Sequence, residues 1–134
     1  MDHKALLQLA EQARKNAYAP YSGFTVGAAL LTKEGRVYTG CNIENATYGA
    51  TVCAERTALF SAVSQGERRF CAIAVSGGKA GKAGGLCPPC GICRQVMAEF
   101  CDKEFTIVLG NSEAYQTYTL AELLPLAFSL DKND

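Results

Sequence analysis

Two short cysteine motifs, far apart along the chain, constrain its fold more than any other feature. The first is Cys53-Ala54-Glu55, and the second is Pro89-Cys90-Gly91-Ile92-Cys93. A Cys-x-x-Cys pair with one distant thiol provides three zinc ligands and leaves one coordination position for water, which is typical of catalytic zinc sites. The sequence therefore predicts a fold that brings the thiols of Cys53, Cys90 and Cys93 together.

A carboxylate beside the first thiol indicates an enzyme. Glu55 lies two residues after Cys53, close enough to act as general acid and general base towards a water molecule at the metal. We therefore predict that Glu55 is the catalytic residue.

The length and charge of the chain limit what this site can serve. With 134 residues, the chain is predicted to form one domain, residues 1–134, and to bury about two-thirds of its unfolded surface without disulfides. Lys and Arg together number 13, as do Asp and Glu, and the densest basic cluster is Arg68-Arg69. A nucleic-acid partner is not expected, because such proteins carry a basic excess or stripe.

The seven cysteines favour a reducing compartment, because they are odd in number and scattered through predicted helices and strands. Met1 is followed by Asp2 and a helical pattern, which is not typical of a signal peptide. No apolar run approaches the roughly 20 residues of a membrane span. We therefore expect a cytoplasmic protein without a membrane partner.

The spacing of apolar residues predicts alternating helices and strands. Helices are predicted over 2–17 and 51–65 and from near Cys90 to about Cys101, and strands over 24–31, 37–43, 70–75 and 105–109. The segment 33–36 indicates a hairpin between the first two strands. This order predicts an α/β fold, a single-domain α/β/α sandwich with a mixed β-sheet flanked by helices.

A glycine-rich segment follows the third predicted strand. Residues 77–85 resemble a phosphate cradle, but they contain neither the GxxxxGK[ST] nor the GxGxxG register. We interpret 76–86 as an irregular surface connection, with a role in gating substrate access as the alternative.

Three thiolates around Zn²⁺ give a net negative centre, and the only histidine, His3, is far from the motifs. Cys90 and Cys93 share one helix face, and Cys53 lies at the start of another helix, so two positive helix N-termini are predicted to converge on the sulfurs. Arg56 would add a full positive charge beside the thiolates; the alternative is an exposed helix residue.

Cys87 leaves the ligand set open to other interpretations, because Cys87-Pro88-Pro89-Cys90 is a second Cys-x-x-Cys pair. The two prolines favour an extended approach to a helix that begins near Cys90, and hence Cys90 with Cys93. Four thiolates would instead form a closed structural zinc site. A redox dithiol is the third interpretation.

At these residues the chain resembles the small, homotetrameric, zinc-dependent cytidine deaminases. The likeness extends over nearly the whole chain, through the segments 17–30, 40–46, 53–58, 89–95 and 123–128. Several specific motifs in one order are more informative than any single one. Cys87 and the glycine-rich segment are not part of the family pattern.

The resemblance implies the cytidine deaminase-like fold and a hydrolytic enzyme of pyrimidine salvage that converts free cytidine and deoxycytidine to uridine and deoxyuridine with release of ammonia. It implies one Zn²⁺ per subunit on Cys53, Cys90 and Cys93, with Glu55 transferring protons. It further implies a homotetramer whose pockets are shared between subunits. The substrate-binding residues it implies are Phe24, Asn42, Glu44, Ala46, Tyr48, Ala54 and Phe128.

Two alternatives to this function remain open from the sequence. A deaminase of a related aminopyrimidine nucleoside, such as blasticidin S, shares the two zinc motifs, although 42–45 and Phe128 are more similar to cytidine deaminases. A non-enzymatic zinc-binding module would use all four clustered thiols, including Cys87.

Overall fold

A five-stranded mixed sheet organises the part of the chain that the computed structural model describes, residues 1–130 and Lys132. In chain order the elements are α1 (His3–Arg14), β1 (Phe24–Thr32), β2 (Val37–Cys41), a 3-10 turn (Tyr48–Ala50), α2 (Ala54–Ser64), β3 (Phe70–Lys79), α3 (Gly91–Phe100), β4 (Thr106–Asn111), β5 (Ala114–Thr119) and α4 (Leu120–Leu123).

The strands lie side by side in the order β2-β1-β3-β4-β5. β1 is antiparallel to both β2 and β3, and β4 is antiparallel to β5. Only the β3–β4 pair is parallel among the described strands, so the chain must cross the sheet between them, and this crossover contains α3. The hairpin predicted at 33–36 is confirmed, with Leu31 opposite Val37.

Successive residues of β1 point to opposite faces of the sheet and enter two separate cores. Ala28 and Leu30 belong to the larger core, which also contains residues of α2 and α3. Ala29 and Leu31 belong to the smaller core, which α1 covers with Leu6, Leu7 and Ala10. Helices therefore flank both faces of a mixed sheet, and the predicted α/β fold class is confirmed.

Gly40 on β2 allows α2 to approach the sheet closely. A Cβ at this position would lie 2.3 Å from Thr57 Oγ1, 2.4 Å from the Ala58 nitrogen and 2.7 Å from the Ala54 oxygen. The Thr57 hydroxyl also donates a 2.9 Å hydrogen bond to the Cys41 carbonyl at the end of β2. These contacts fix the first turn of α2, which carries Glu55.

The prediction of an irregular connection over 76–86 is wrong for its first part. β3 continues to Lys79, and Ser76 to Lys79 pair with Gly27 to Phe24 of β1. Gly85 then donates to the Gly77 carbonyl at 2.9 Å. Pairing with a long neighbouring strand supplies the hydrogen bonds that compensate for the low strand propensity of glycine.

Other element boundaries also differ from the pattern. α1 ends at Arg14 instead of residue 17, β2 ends at Cys41 instead of residue 43, and α2 begins after Cys53 instead of at residue 51. Apolar spacing predicts no element after 109, whereas β5 and α4 follow there. β5 forms an edge of the sheet with mostly exposed side chains, so no apolar alternation reveals it.

Arg14 holds the glycine-rich segment against the start of β1. Its Nη1 and Nη2 donate to the carbonyls of Lys82 and Lys79 at 2.6 and 2.7 Å, and its Nε donates to the Thr25 carbonyl at 2.9 Å. The side chain of Arg14 therefore anchors the glycine-rich segment at Lys79 and Lys82.

No helix within residues 1–130 combines the length and apolar character needed to traverse a bilayer.

We expect Gly84→Ala to destabilise the protein and Ser76→Ala to suppress most of that effect. A Cβ on Gly84 would lie 2.1 Å from Ser76 Oγ, a buried hydroxyl that has no hydrogen-bond partner among the described residues, and 3.3 Å from Ser76 Cβ. Overpacking of this kind costs about 1–3 kcal/mol, whereas removing an unpaired hydroxyl is nearly neutral. Urea denaturation of both single variants and the double variant measures the coupling.

Gly85→Ala is the matched control, because nothing lies within 4 Å of a Cβ built there. Equal destabilisation by Gly84→Ala with and without the Ser76→Ala substitution would contradict the contact as its cause.

Candidate metal centre

Two helices begin at the cysteine motifs and direct their N-termini to one place. Cys53 is the N-cap of α2, and Cys90 is the N-cap of α3. Cys93 follows in the first turn of α3, and its backbone N–H donates to Cys90 Sγ at 3.4 Å. Both N-cap residues have extended backbone, which is consistent with the arrival of the second motif through Pro88 and Pro89.

The three sulfur atoms have the spacing of ligands to a single metal ion. Cys53 Sγ lies 3.8 Å from Cys90 Sγ, which lies 3.4 Å from Cys93 Sγ, and all three atoms lie within 4.8 Å of one another. Zinc–sulfur bonds of about 2.3 Å in tetrahedral geometry separate the sulfurs by about 3.8 Å. The cluster is therefore suited to one zinc ion, in agreement with the prediction of one zinc per subunit.

All seven cysteines are free, and each lies in the described part of the chain. A disulfide requires a sulfur–sulfur distance of about 2.05 Å, so the shortest separation within the trio, 3.4 Å, is a non-bonded one.

Arg56 contacts the thiol cluster directly. Its Nη2 donates to Cys53 Sγ at 3.4 Å, and its side chain is half-buried. The hydrogen bond to Cys53 raises the pKa of the Arg56 guanidinium above its ordinary value, so this group stays protonated. A permanent positive charge therefore lies beside the sulfurs, where it offsets the charge of thiolates.

The surroundings of Cys53 lower the pKa of its thiol. The neighbouring Cys93 thiol lowers the pKa of Cys53 most, followed by the hydrogen bond from Arg56. The partial positive charge at the α2 N-terminus acts in the same direction. The surroundings of Cys53 therefore favour the thiolate form that a metal ion requires.

Glu55 lies in the first turn of α2 and is only 5% exposed. Burial raises the pKa of its carboxyl group to about 7, and the charge of Cys53 acts in the same direction. A carboxyl group with a pKa near neutrality accepts and releases a proton with comparable ease. Glu55 lies two residues after Cys53, so a group that can carry a proton adjoins the candidate metal site.

Cys87 lies outside the sulfur trio. It packs half-buried against the larger core, and burial raises the pKa of its thiol to about 11. A Cβ on Gly77 would lie 2.8 Å from Cys87 Sγ, so the thiol fills space beside β3. The described residues therefore contain a three-sulfur cluster and not the closed four-sulfur alternative.

Asn42 is buried, with its amide bound to the backbone of β1. Its Oδ1 accepts from the Val26 N–H at 2.8 Å, and its Nδ2 donates to the Phe24 carbonyl at 2.9 Å. These two bonds fix the orientation of the amide and leave one of its N–H groups for another partner.

Glu44 is held by the turn before β1. Its Oε1 accepts from the N–H groups of Tyr21 and Ser22 at 2.9 and 3.1 Å, and its Oε2 accepts from the Ser22 hydroxyl. The hydroxyl bond is the main reason that the pKa of Glu44 is lowered. Glu44 therefore presents a fixed carboxylate.

A cavity of about 360 Å³ adjoins this carboxylate and is lined by Tyr21, Ser22, Glu44, Tyr48 and Thr51. Tyr21, Ser22 and Thr51 were not predicted as site residues, because their proximity depends on a turn and a loop that apolar spacing does not detect. Tyr48 is 75% exposed, and Ala46, two residues earlier, is also exposed.

The remaining residues predicted to bind substrate do not share one environment. Phe24 is 40% exposed at the start of β1, Ala54 is fully buried in the first turn of α2, and Phe128 is 67% exposed. The Phe128 carbonyl accepts a 2.9 Å hydrogen bond from Gln95 Nε2, which attaches this part of the chain to α3.

A three-thiol cluster with a buried carboxyl group beside it defines a hydrolytic zinc centre, in which one metal position remains for water. The model of the family described as the cytidine and deoxycytidylate deaminase zinc-binding region matches residues 1–109.

Known proteins are similar to the chain over its full length. It is 54% identical to a cytidine deaminase of Halalkalibacterium halodurans, covering 100% of both chains, and 50% identical to one of Sporosarcina psychrophila, covering 96% of this chain and 93% of that relative. The crystal structure of a Burkholderia pseudomallei cytidine deaminase superimposes with a TM-score of 0.87 at 50% identity, covering 96% of this chain and 100% of that one. The chain belongs to the cytidine deaminase family.

We expect Cys87→Ser to retain zinc and Cys90→Ser to lose it. Cys87 Sγ is not among the three sulfurs that lie within 4.8 Å of one another, whereas Cys90 Sγ is. Replacing a thiolate by a hydroxyl removes one of three ligands in the second variant only. Metal content after gel filtration, measured by atomic emission, checks the difference; loss of zinc from Cys87→Ser would restore the four-thiolate interpretation.

Proposed function

We propose that residues 1–134 form one catalytic domain that hydrolyses free cytidine and deoxycytidine to uridine and deoxyuridine, with release of ammonia. The observation that carries this proposal is the buried carboxyl group of Glu55 in the same helical turn that begins at Cys53. The full-length similarity to cytidine deaminases supports the choice of substrate.

The ligands of the zinc ion are Cys53, Cys90 and Cys93. Zinc bound there supplies Lewis acidity that lowers the pKa of a water molecule. Arg56 neutralises part of the thiolate charge, which would otherwise weaken that acidity; its 3.4 Å contact with Cys53 supports this role.

Glu55 moves two protons in this reaction. It takes one proton from water as oxygen bonds to C4 of the pyrimidine, and it delivers that proton to N3. It then transfers the second proton of the water to the exocyclic nitrogen, and the C4–N bond breaks as ammonia leaves. No electrons are exchanged with another molecule, and Glu55 returns to its starting state.

The nucleoside is held by polar and apolar side chains on either side of the turn before β1. We assign the ribose hydroxyls to the remaining N–H of Asn42 and to the carboxylate of Glu44, which the turn holds in place. Phe24 would pack against the nucleoside, and the buried Ala54 would form the pocket floor next to Glu55.

We expect Glu55→Gln to lower the turnover of cytidine by about 10²–10⁴-fold, the usual contribution of a general acid–base residue, while zinc content is unchanged. Glutamine has a similar shape but cannot carry a proton. Loss of ultraviolet absorbance as cytidine becomes uridine measures the rate, and metal analysis of the same samples measures zinc. Glu104→Gln is the control, since Glu104 is exposed and forms no ion pair within the described residues.

Wild-type protein that carries zinc but leaves cytidine intact would contradict the proposed substrate. Blasticidin S, assayed in parallel, then tests the alternative aminopyrimidine nucleoside. Equal rates for Glu55→Gln and wild type would contradict the assigned role of Glu55.

The same proposal includes a homotetramer whose pockets are shared between subunits, with Ala46, Tyr48 and Phe128 reaching a neighbouring site. The exposure of large side chains supports it, since Tyr48 and Phe128 are 75% and 67% exposed. A cytoplasmic location is part of the proposal and is supported by the seven free thiols.

We expect an equal mixture of Glu55→Gln and Phe128→Ala, dissociated in mild denaturant and reassembled, to be more active than the sum of the separate variants. If one pocket takes Glu55 from one subunit and Phe128 from another, mixed oligomers contain some pockets with both native residues. Light scattering should give four times the 14.3 kDa of one chain. Activity that stays at the sum would contradict shared pockets.

A further inference from the structure

Arg94 connects the second cysteine motif to the C-terminal part of the described chain. It follows Cys93 in α3, and its guanidinium makes two short hydrogen bonds to carbonyl oxygens. Nε donates to the Pro89 carbonyl at 2.7 Å, and Nη1 donates to the Leu123 carbonyl at 2.7 Å.

Each of these carbonyls lies at a helix end, where no backbone donor is provided by the helix itself. Pro89 immediately precedes Cys90, the N-cap of α3, and Leu123 is the last residue of α4. Carbonyls before an N-cap and in the last turn have no intrahelical partner, and half-buried polar groups need one. Arg94 supplies both partners from one side chain.

The shape of the guanidinium matters for this double contact. Arg94 is half-buried and forms no ion pair within residues 1–130 and Lys132, so carbonyls are its main partners. A rigid planar fork can reach two acceptors in different directions at once, whereas a lysine ammonium is a single point charge on a flexible stem.

Gln95, the next residue, extends the connection along the same segment. Its Nε2 donates to the Phe128 carbonyl at 2.9 Å. Residues 94 and 95 of α3 therefore hold the start and the far part of segment 123–128, while Cys93, one residue earlier, lies in the sulfur trio.

We propose that Arg94 is a positioning residue that couples zinc binding at Cys90 to the order of segment 123–128. Among the described residues its guanidinium donates to the Pro89 and Leu123 carbonyls and not to the sulfur atoms, so it acts through the backbone on both sides. A ligand that fixes Pro89 and Cys90 favours the Arg94 conformation that also fixes Leu123, and the coupling is reciprocal. This inference rests on the proposed ligand assignment.

The experiment compares wild type, Arg94→Met, Arg94→Lys and Arg68→Met. Arg68 is the matched control, because its guanidinium also donates to two carbonyls, those of Val63 and Glu67, away from the second cysteine motif. Two quantities are measured on the intact chain: the rate of zinc release to a chromophoric chelator, and backbone hydrogen exchange of peptides covering 120–130, with zinc bound and after its removal.

In wild type, removal of zinc should speed exchange in 120–130 by at least about 5-fold, the lower end of typical coupling between two sites. Loss of residues that support metal ligands weakens metal affinity by about 10–100-fold, so Arg94→Met should release zinc faster by a comparable factor, and its backbone exchange should no longer depend on zinc. Arg94→Lys should release zinc at a rate between those of wild type and Arg94→Met, and its exchange in 120–130 should not depend on zinc. Arg68→Met should behave as wild type.

Wild-type exchange that is identical with and without zinc would overturn the coupling even if Arg94→Met failed to fold. The coupling would also be overturned if exchange in 120–130 kept its full zinc dependence in Arg94→Met or Arg94→Lys. If Arg94 only stabilised the fold, replacing it would lower overall stability and leave that dependence intact. Wild-type protein that binds no zinc would overturn the ligand assignment itself. Metal analysis separates this outcome from a failure of the coupling alone.

Discussion

Three sulfur atoms that must carry negative charge are held within 4.8 Å of one another, and the rest of the structure is arranged to make this possible. Thiolates at such distances repel strongly where water is scarce. Two helix N-termini and the guanidinium of Arg56 supply the opposing positive charge. Since each source of charge belongs to a helix, the site exists only if α2 and α3 are placed accurately.

The sheet provides that placement. The parallel pair β3–β4 requires a crossover, and α3 in that crossover packs into the same core as α2. Gly40 lets α2 lie close on β2, and the larger core then fixes the distance between the two helix starts. Burial of Glu55 follows from the same packing, because the first turn of α2 faces the core. The raised pKa of Glu55 is thus a product of the fold as much as of the local motif.

Much of this arrangement is predictable from the sequence, and the exceptions have physical reasons. Spacing alone leaves Cys87 as a fourth candidate ligand, and the trio is favoured by the two prolines and implied by the family resemblance. The strands with continuous apolar runs follow from spacing alone, since that pattern is local. The strand character of Ser76 to Lys79 does not, because it arises from pairing with β1. The side chains of β5 are mostly exposed and give no apolar signal. The contacts of Arg94 join Pro89 to Leu123, a tertiary relation that no spacing rule contains.

Three consecutive residues of α3 make contacts with three separate parts of the molecule. Cys93 belongs to the sulfur trio, Arg94 binds the approach to Cys90 and the end of α4, and Gln95 binds the backbone of Phe128. Cys93 and Arg94 share the region of Pro89 and Cys90, and Arg94 and Gln95 share segment 123–128. Effects of substitutions are additive only for residues without shared partners. Amino-acid changes in this turn should therefore be strongly epistatic, so that laboratory evolution must alter the turn as a unit.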